Sequence, residues 1–241
     1  MQKNILFIFS MHIVFSCGTK NESTLSLSDL NLTPQHQSVQ LQKGELNISQ
    51  GLNFTTNLLD SLSTNLREYL SQWVTFNKEE KTKLGLTIDK IYSSNKEVFS
   101  LSIDKQGVTI KANDFAGLFY GVQTLSQLLE FSSNNATSLP YIKVEDEPCS
   151  AYRGFMLDVS RHFFPFYFVK KQIYLMAHYK LNTFNWHLTN GPGWRLEIKQ
   201  YPELTNIAAW RIHETLKEKW ATSSRKYVEE GSENAYGGYY T

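Results

Sequence analysis

The chain has 241 residues, of which 41% are hydrophobic, 14% aromatic and 20% charged, a globular composition unlike that of a disordered chain. Lys+Arg 24 against Asp+Glu 23 leaves a formal net charge of +1, without the positive excess of a general nucleic-acid binder. Two cysteines are too few for a disulfide scaffold or a Cys-rich zinc site, and none of the six histidines stands in an H-E-x-x-H motif, which argues against a metalloprotease.

Residues 1–16 read as an export signal. Lys3 supplies the positive start, and the apolar run from Ile5 to Phe15 is too short to cross a bilayer core of about 30 Å. Ser16-Cys17-Gly18 resembles a bacterial lipobox, although Phe15 stands where a small residue is usual. Cys17 is then the expected lipidation site and mature N-terminus, and the chain is expected at a bacterial cell envelope, held to the membrane by lipid. An ordinary secretory signal with a chance cysteine is the alternative. Lipid on Cys17 leaves Cys149 without an intrachain partner, so no disulfide is expected. Residues 17–33, rich in Ser, Thr and Asn, read as a flexible tether.

Residues 34–148 alternate between strand and helix periods. Val39–Leu41 and Leu46–Ile48 read as short strands. Leu58, Leu62, Leu66 and Leu70 recur every four residues and predict one helix face. Leu84–Ile88 reads as a strand. Phe99–Ile103 and Val108–Ala112 alternate strictly around Asp104-Lys105-Gln106-Gly107, which predicts a hairpin. Asp114 is placed to start a helix whose face is Leu118, Val122, Leu125 and Leu129, and Tyr141–Val144 returns as a strand. This order predicts an α+β layer with the helices on one face of a sheet. Its carboxylates read as solvated charge, and Glu145-Asp146-Glu147-Pro148 as an acidic turn before the next strand.

From 149 to 241 the pattern changes. Gly154–Val159 is a mostly apolar run, as buried parallel strands are. Val169, Ile173, Met176 and Ala177 mark a helix face ending at Asn182, and Thr183–Leu188 is a second strand. Such a β-α-β unit predicts parallel strands, with function beyond their carboxyl ends. That places Asp158 and Arg161 on one rim with the stretch from His187 to Arg195.

Arg153 to Pro165 (R-G-F-M-L-D-V-S-R-H-F-F-P) and Trp186 to Thr205 (beginning W-H-L-T-N-G-P-G-W-R) resemble the start of the catalytic barrel of glycoside hydrolase family 20, the β-N-acetylhexosaminidases. Residues 112–129 resemble the end of the α+β domain that precedes that barrel, and Ala209-Trp210-Arg211 and Tyr236 to Thr241 continue the likeness. The resemblance implies an α+β domain followed by a (β/α)8 TIM barrel, here its first β-α-β portion. It implies removal of terminal N-acetylglucosamine or N-acetylgalactosamine from glycans, with the substrate's own acetamido oxygen as nucleophile and no cofactor or metal. It assigns to Arg161 the binding of the sugar's ring hydroxyls, for which a guanidinium fork is suited. A rim salt bridge is the structural alternative for the same side chain.

Two departures from the family pattern stand out. The family usually reads W-H-L-T-D-D where this chain has Trp186 to Gly191, so Asn190 replaces the first Asp of a relay that tunes the catalytic Glu. Asn keeps the hydrogen bonds of that position and lacks its charge. The family's catalytic Asp-Glu pair is expected beyond Thr241, which implies a truncated barrel and a chain inactive alone. A glycan-binding or scaffold lipoprotein without catalysis, or a relic of a truncated gene, are the other readings. Trp186, Trp194, Trp210 and Trp220 could stack on sugars or pack in the core.

Overall fold

The structure, a computed structural model, describes residues 26–91, 93–133, 137–212 and 226–241. The export signal, Cys17 and Trp220 lie outside the described residues. Cys149 is exposed and unpaired. The tether reading of 17–33 fails over its last residues: Leu27–Leu30 form a turn of 3-10 helix, Leu30 is buried in the core, and the Thr33 backbone N–H donates to Gln127 Oε1 at 2.8 Å.

The first region contains β1 (Ser38–Asn47), β2 (Asn53–Thr56), α1 (Asp60–Leu70), β3 (Lys83–Ile88), β4 (Phe99–Asp104), β5 (Gly107–Ala112), α2 (Phe115–Ser133) and β6 (Ser138–Asp146). Its six strands form one sheet in the order β1-β6-β4-β5-β3-β2. β2, β3 and β5 run parallel, while β4, β6 and β1 join antiparallel. The two short strands expected at 39–41 and 46–48 are one strand. Its register shifts between Leu41 and Glu45, where Gly44 takes φ 115 and a Cβ would lie 2.5 Å from the Tyr141 ring.

Alternation decides which face is covered. In β4, Phe99, Leu101 and Ile103 are buried while Ser100 and Ser102 are not. Leu84, Leu86, Val108, Ile110, Ile142 and Val144 extend the same face. Leu118, Val122, Leu125 and Leu129 of α2 close over it, with Leu66 and Leu70 of α1. Tyr69 Oη of α1 donates to Gln123 Oε1 of α2 at 3.0 Å, so the helices lie side by side. At Gly121 a Cβ would lie 2.5 Å from an Ile110 methyl, which is how α2 approaches the sheet so closely. Each large aliphatic side chain buried here contributes about 1.5–3 kcal/mol of burial free energy.

The second region opens with β7 (Gly154–Asp158), α3 (Phe166–His178) and β8 (Thr183–His187), and β7 and β8 are parallel as expected. Then come β9 (Thr189–Asn190), β10 (Gly193–Trp194), α4 (Glu203–Asn206), β11 (Trp210–Ile212), β12 (Lys226–Tyr227) and β13 (Tyr236–Gly237). The buried parallel strand expected at 154–159 is only partly buried: Met156 is 55% exposed. Among the described residues β7 and β8 pair with each other alone, and their core is Leu157, Val159 and Val169 with partly buried neighbours. α3 buries Val169 and Met176 as expected, but Ile173 is exposed. The helix ends at His178 rather than Asn182, and Lys180 turns the chain with φ 57. Asn182 instead accepts the Arg153 N–H at 3.0 Å and donates to Ala151 O at 2.8 Å.

Two polar clusters join the regions, and they correct the reading of the first region's carboxylates as solvated. Glu97 receives Arg153 Nη1 at 2.9 Å, and Arg153 Nη2 donates to Tyr120 Oη at 2.9 Å. Burial alone would raise the Glu97 carboxyl, but hydrogen bonds and attraction from Arg153 outweigh it and hold it below its usual range. In the second cluster Lys180 Nζ lies 3.2 Å from Asp146 Oδ2 and 2.7 Å from His36 Nε2. Burial, reinforced by the Lys180 cation, pushes the His36 imidazole down to about 4. Burial pushes Lys180 down to about 8 against the pull of Asp146.

Candidate active-site rim

The parallel register sets Asp158, the last residue of β7, beside His187, the last of β8. The chain then turns at both strand ends, and the two loops meet. Asp158 Oδ1 accepts the Arg161 backbone N–H at 3.0 Å, while Oδ2 pairs with the Arg161 guanidinium. His187 Nδ1 stands 3.9 Å from the same Oδ2. Asn190 Nδ2 stands 3.4 Å from His187 Nε2, and Asn190 Oδ1 accepts the Gly191 N–H at 2.7 Å. The expected rim residues Asp158, Arg161, His187 and Asn190 therefore form one connected row. Arg161 makes the rim salt bridge and still has a side chain 49% exposed.

Electrostatics give the row a direction. Burial by itself would raise the Asp158 carboxyl, but the Arg161 N–H and guanidinium outweigh that and lower it. An ionised Asp158 favours the His187 tautomer with its proton on Nδ1. The Nε2 lone pair is then left to accept from the Asn190 amide.

Two further arginines hold the loops in place, and residue types along the rim do not announce them. Arg195 is fully buried, and among the described residues no carboxylate pairs with it. Its Nε donates to Val159 O at 2.9 Å, its Nη2 to Ser160 O at 3.0 Å, and its Nη1 to Ala209 O and Gly238 O. Four backbone carbonyls thus solvate the cation and fasten three chain segments to one side chain. Burial, and then repulsion from Arg211, push Arg195 down to about 10, which leaves it charged at neutral pH. Arg211 donates to Pro192 O at 3.1 Å and to Arg161 O, so it ties the loop after β7 to the hairpin of β9 and β10. The signal in the sequence is the repeat W-R-L at Trp194 and W-R-I at Trp210, a cation set between large apolar residues.

Trp186 and Trp194 make contacts within the fold. Trp186 lies against Tyr240 with ring centroids 4.6 Å apart, and Trp194 Nε1 donates to Leu196 O at 2.6 Å. The turn Gly191-Pro192 is pinned by Tyr227 Oη on Gly191 O, and the Ser160 hydroxyl reaches Gly193 O at 2.8 Å. Among the described residues no three His, Cys, Asp or Glu side chains form a group that could hold a metal ion.

Comparison with known proteins places both regions. Residues 29–147 match the family model "Glycosyl hydrolase family 20, domain 2", and residues 151–241 match "Glycosyl hydrolase family 20, catalytic domain". A beta-hexosaminidase of Vibrio furnissii is 31% identical over 215 residues, which cover 88% of this chain and 34% of that protein. One from Porphyromonas gingivalis is 41% identical over 160 residues, covering 64% of this chain and 18% of the relative. Among solved structures, the GH20 exo beta-N-acetylglucosaminidase of Vibrio harveyi in complex with N-acetylglucosamine superposes with TM-score 0.67 at 28% identity, over 88% of this chain and 32% of that one. The N-acetyl-beta-hexosaminidase of Streptomyces plicatus gives TM-score 0.66 at 27% identity, over 89% and 42%. The chain thus spans about a third of one of these curated relatives and about a fifth of the other.

Proposed function

The chain belongs to glycosyl hydrolase family 20, and from that membership we propose that the rim formed by β7 and β8 is a sugar-recognition edge of a β-N-acetylhexosaminidase. The whole protein would remove terminal N-acetylhexosamine from glycans. The observation that carries the proposal is the Asp158–Arg161 pair at the carboxyl end of the first parallel strand. Asp158 holds the guanidinium from one side, and half of the side chain remains open to solvent. The donors not used by Asp158 can then reach two neighbouring ring hydroxyls in a fixed geometry. Holding the fork before the sugar arrives lowers the ordering cost of binding. Chemistry at the anomeric carbon would follow the substrate-assisted route implied by the resemblance, with the acetamido oxygen as nucleophile.

The test is binding of N-acetylglucosamine to the chain, followed by NMR saturation transfer against a glucose control. Arg161→Met is expected to weaken binding roughly tenfold or more, on the scale of a lost hydrogen bond to a charged group. Unchanged binding would remove Arg161 from the sugar site. The residues before the fold carry a separate proposal: lipid on Cys17 would tether the protein at a bacterial envelope. Metabolic fatty-acid labelling that persists in Cys17→Ser would refute it.

A further inference from the structure

We propose that Asn190 is a self-modifying site, at which the backbone nitrogen of Gly191 converts the side-chain amide to a carboxylate and so creates a negative charge beside His187. The proposal is independent of the hydrolase reading. It rests on the arrangement of two adjacent residues.

Asn190-Gly191 is the only Asn-Gly pair in the chain. The ladder between β9 and β10 pairs Asn190 with Gly193 and Thr189 with Trp194, and Gly191 lies outside it. The Gly191 N–H is directed instead to Asn190 Oδ1 at 2.7 Å. The nitrogen therefore already lies against the side-chain carbonyl group whose carbon it would attack. Gly191 has no Cβ to shield that nitrogen, and Asn190 and Gly191 are both exposed to water. Two other asparagines are turned differently. Asn57 Oδ1 accepts from Ile88 N at 3.0 Å and Asn47 Oδ1 from Ser49 N at 2.8 Å, not from their own following nitrogens.

The chemistry balances with water as the second reactant. The Gly191 nitrogen loses its proton to solvent and attacks Cγ of Asn190. A C–N bond forms, the Cγ–Nδ2 bond breaks, and ammonia leaves with a proton taken from water. The resulting five-membered imide is opened by water. Attack at Cγ gives an aspartate with the ordinary backbone linkage, and attack at the main-chain carbonyl gives the isoaspartate linkage. The net change is one amide and one water converted to one carboxylate and one ammonia. No electrons are transferred.

The consequence is local. The amide nitrogen that leaves is the group now 3.4 Å from His187 Nε2. A carboxylate oxygen in its place would face the imidazole from the side opposite Asp158, whose Oδ2 is 3.9 Å from Nδ1. His187 would then stand between two anions, and the formal net charge of the chain would fall from +1 to zero.

The test uses the full chain, kept folded in water enriched in heavy oxygen at neutral and mildly alkaline pH, then digested for peptide mass mapping. The expected result is that the peptide carrying residue 190 takes up solvent oxygen as a new carboxyl, in both linkages. It should do so faster than the peptides carrying Asn47 and Asn57, and faster again at the higher pH. Gly191→Ala falls at a glycine outside the positive-φ set, so its backbone conformation is open to alanine. It is expected to slow the conversion roughly tenfold by crowding the attacking nitrogen. Conversion at 190 no faster than at Asn57 would overturn the proposal. So would an unchanged rate in Gly191→Ala, because direct hydrolysis by water does not pass through that nitrogen.

Discussion

The sheet domain up to Asp146 and the β-α-β unit that follows carry similar apolar sequences and bury them very differently. Leu101 on β4 is fully buried, with strands on both sides and α2 above, whereas Met156 on β7 is 55% exposed. The two side chains differ little in hydrophobicity. What separates them is pairing: β4 has two strand neighbours, and β7 has one among the described residues. Burial is a property of the assembled layers, and a strand's sequence supplies only the possibility.

That contrast is broken most easily by truncating one side chain in each region. Leu101→Ala leaves a cavity between β4 and α2 and is expected to cost about 2–5 kcal/mol in urea unfolding. Met156→Ala removes atoms that already touch water and should cost under about 0.5 kcal/mol. Equal losses would mean that the β7 surface is covered in solution and that its exposure is not a property of the folded chain.

The same contrast explains what could be read from the sequence. The β4–β5 hairpin is legible because Phe99 to Ala112 alternates strictly around a turn ending in Gly107, and the covering layer is local. β1 divides into two apparent strands because the bulge at Gly44 interrupts the alternation while pairing with β6 continues. β2 is invisible: N-F-T-T has one apolar residue, and its pairing with β3 is dictated by neighbours. On α3 the period holds and Val169 and Met176 are buried, while Ile173 alone departs because it faces away from the small core of Leu157, Val159 and Val169. At the rim, parallel register alone brings Asp158 to His187, so that row was legible. The carbonyl ties of Arg195 and Arg211 were not, since backbone acceptors leave no trace in residue types. Nor was the joint of His36 with Lys180, whose partners stand 144 residues apart.

That joint gives the next largest effect, and it depends on pH. The buried His36 imidazole, displaced to about 4 in the folded chain, titrates near 6.5 when unfolded. Its contribution is fully present above about 6.5 and is lost as pH falls toward 4, because the unfolded chain binds the proton first. The loss is about 3 kcal/mol at most, at about 1.4 kcal/mol per pH unit. Lys180, held at about 8, acts at the other end, with stability rising as pH passes from 8 toward the 10.5 of an unfolded lysine. Denaturation midpoints measured across this range should fall on the acid side, and His36→Gln should flatten that slope. An acid limb unchanged in His36→Gln would mean that the carboxylates alone govern acid unfolding.

The smallest effects come from two arginines that make the same kind of bond in different surroundings. Arg153 pairs with Glu97 at the joint, and the two side chains are 16% and 21% exposed. Arg161 pairs with Asp158 on the rim with its own side chain 49% exposed. Removing Arg153 leaves Glu97 in a partly dry site with only the long bonds from Tyr120 Oη and Asn182 Nδ2, and it also removes the donor to Lys180 O. Arg153→Ala is expected to cost about 1–3 kcal/mol, below the range for fully buried pairs because some water remains. Removing Arg161 leaves Asp158 with the backbone N–H of residue 161 and with solvent, so Arg161→Ala should cost about 0–1 kcal/mol. Salt separates them further: an exposed pair is screened and a half-buried one much less, so added salt should shrink the Arg161 effect first. If Arg161→Ala were the costlier of the two, the rim guanidinium would be a structural strut rather than a fork held open, and the sugar-recognition reading of the Asp158–Arg161 pair would lose its physical basis.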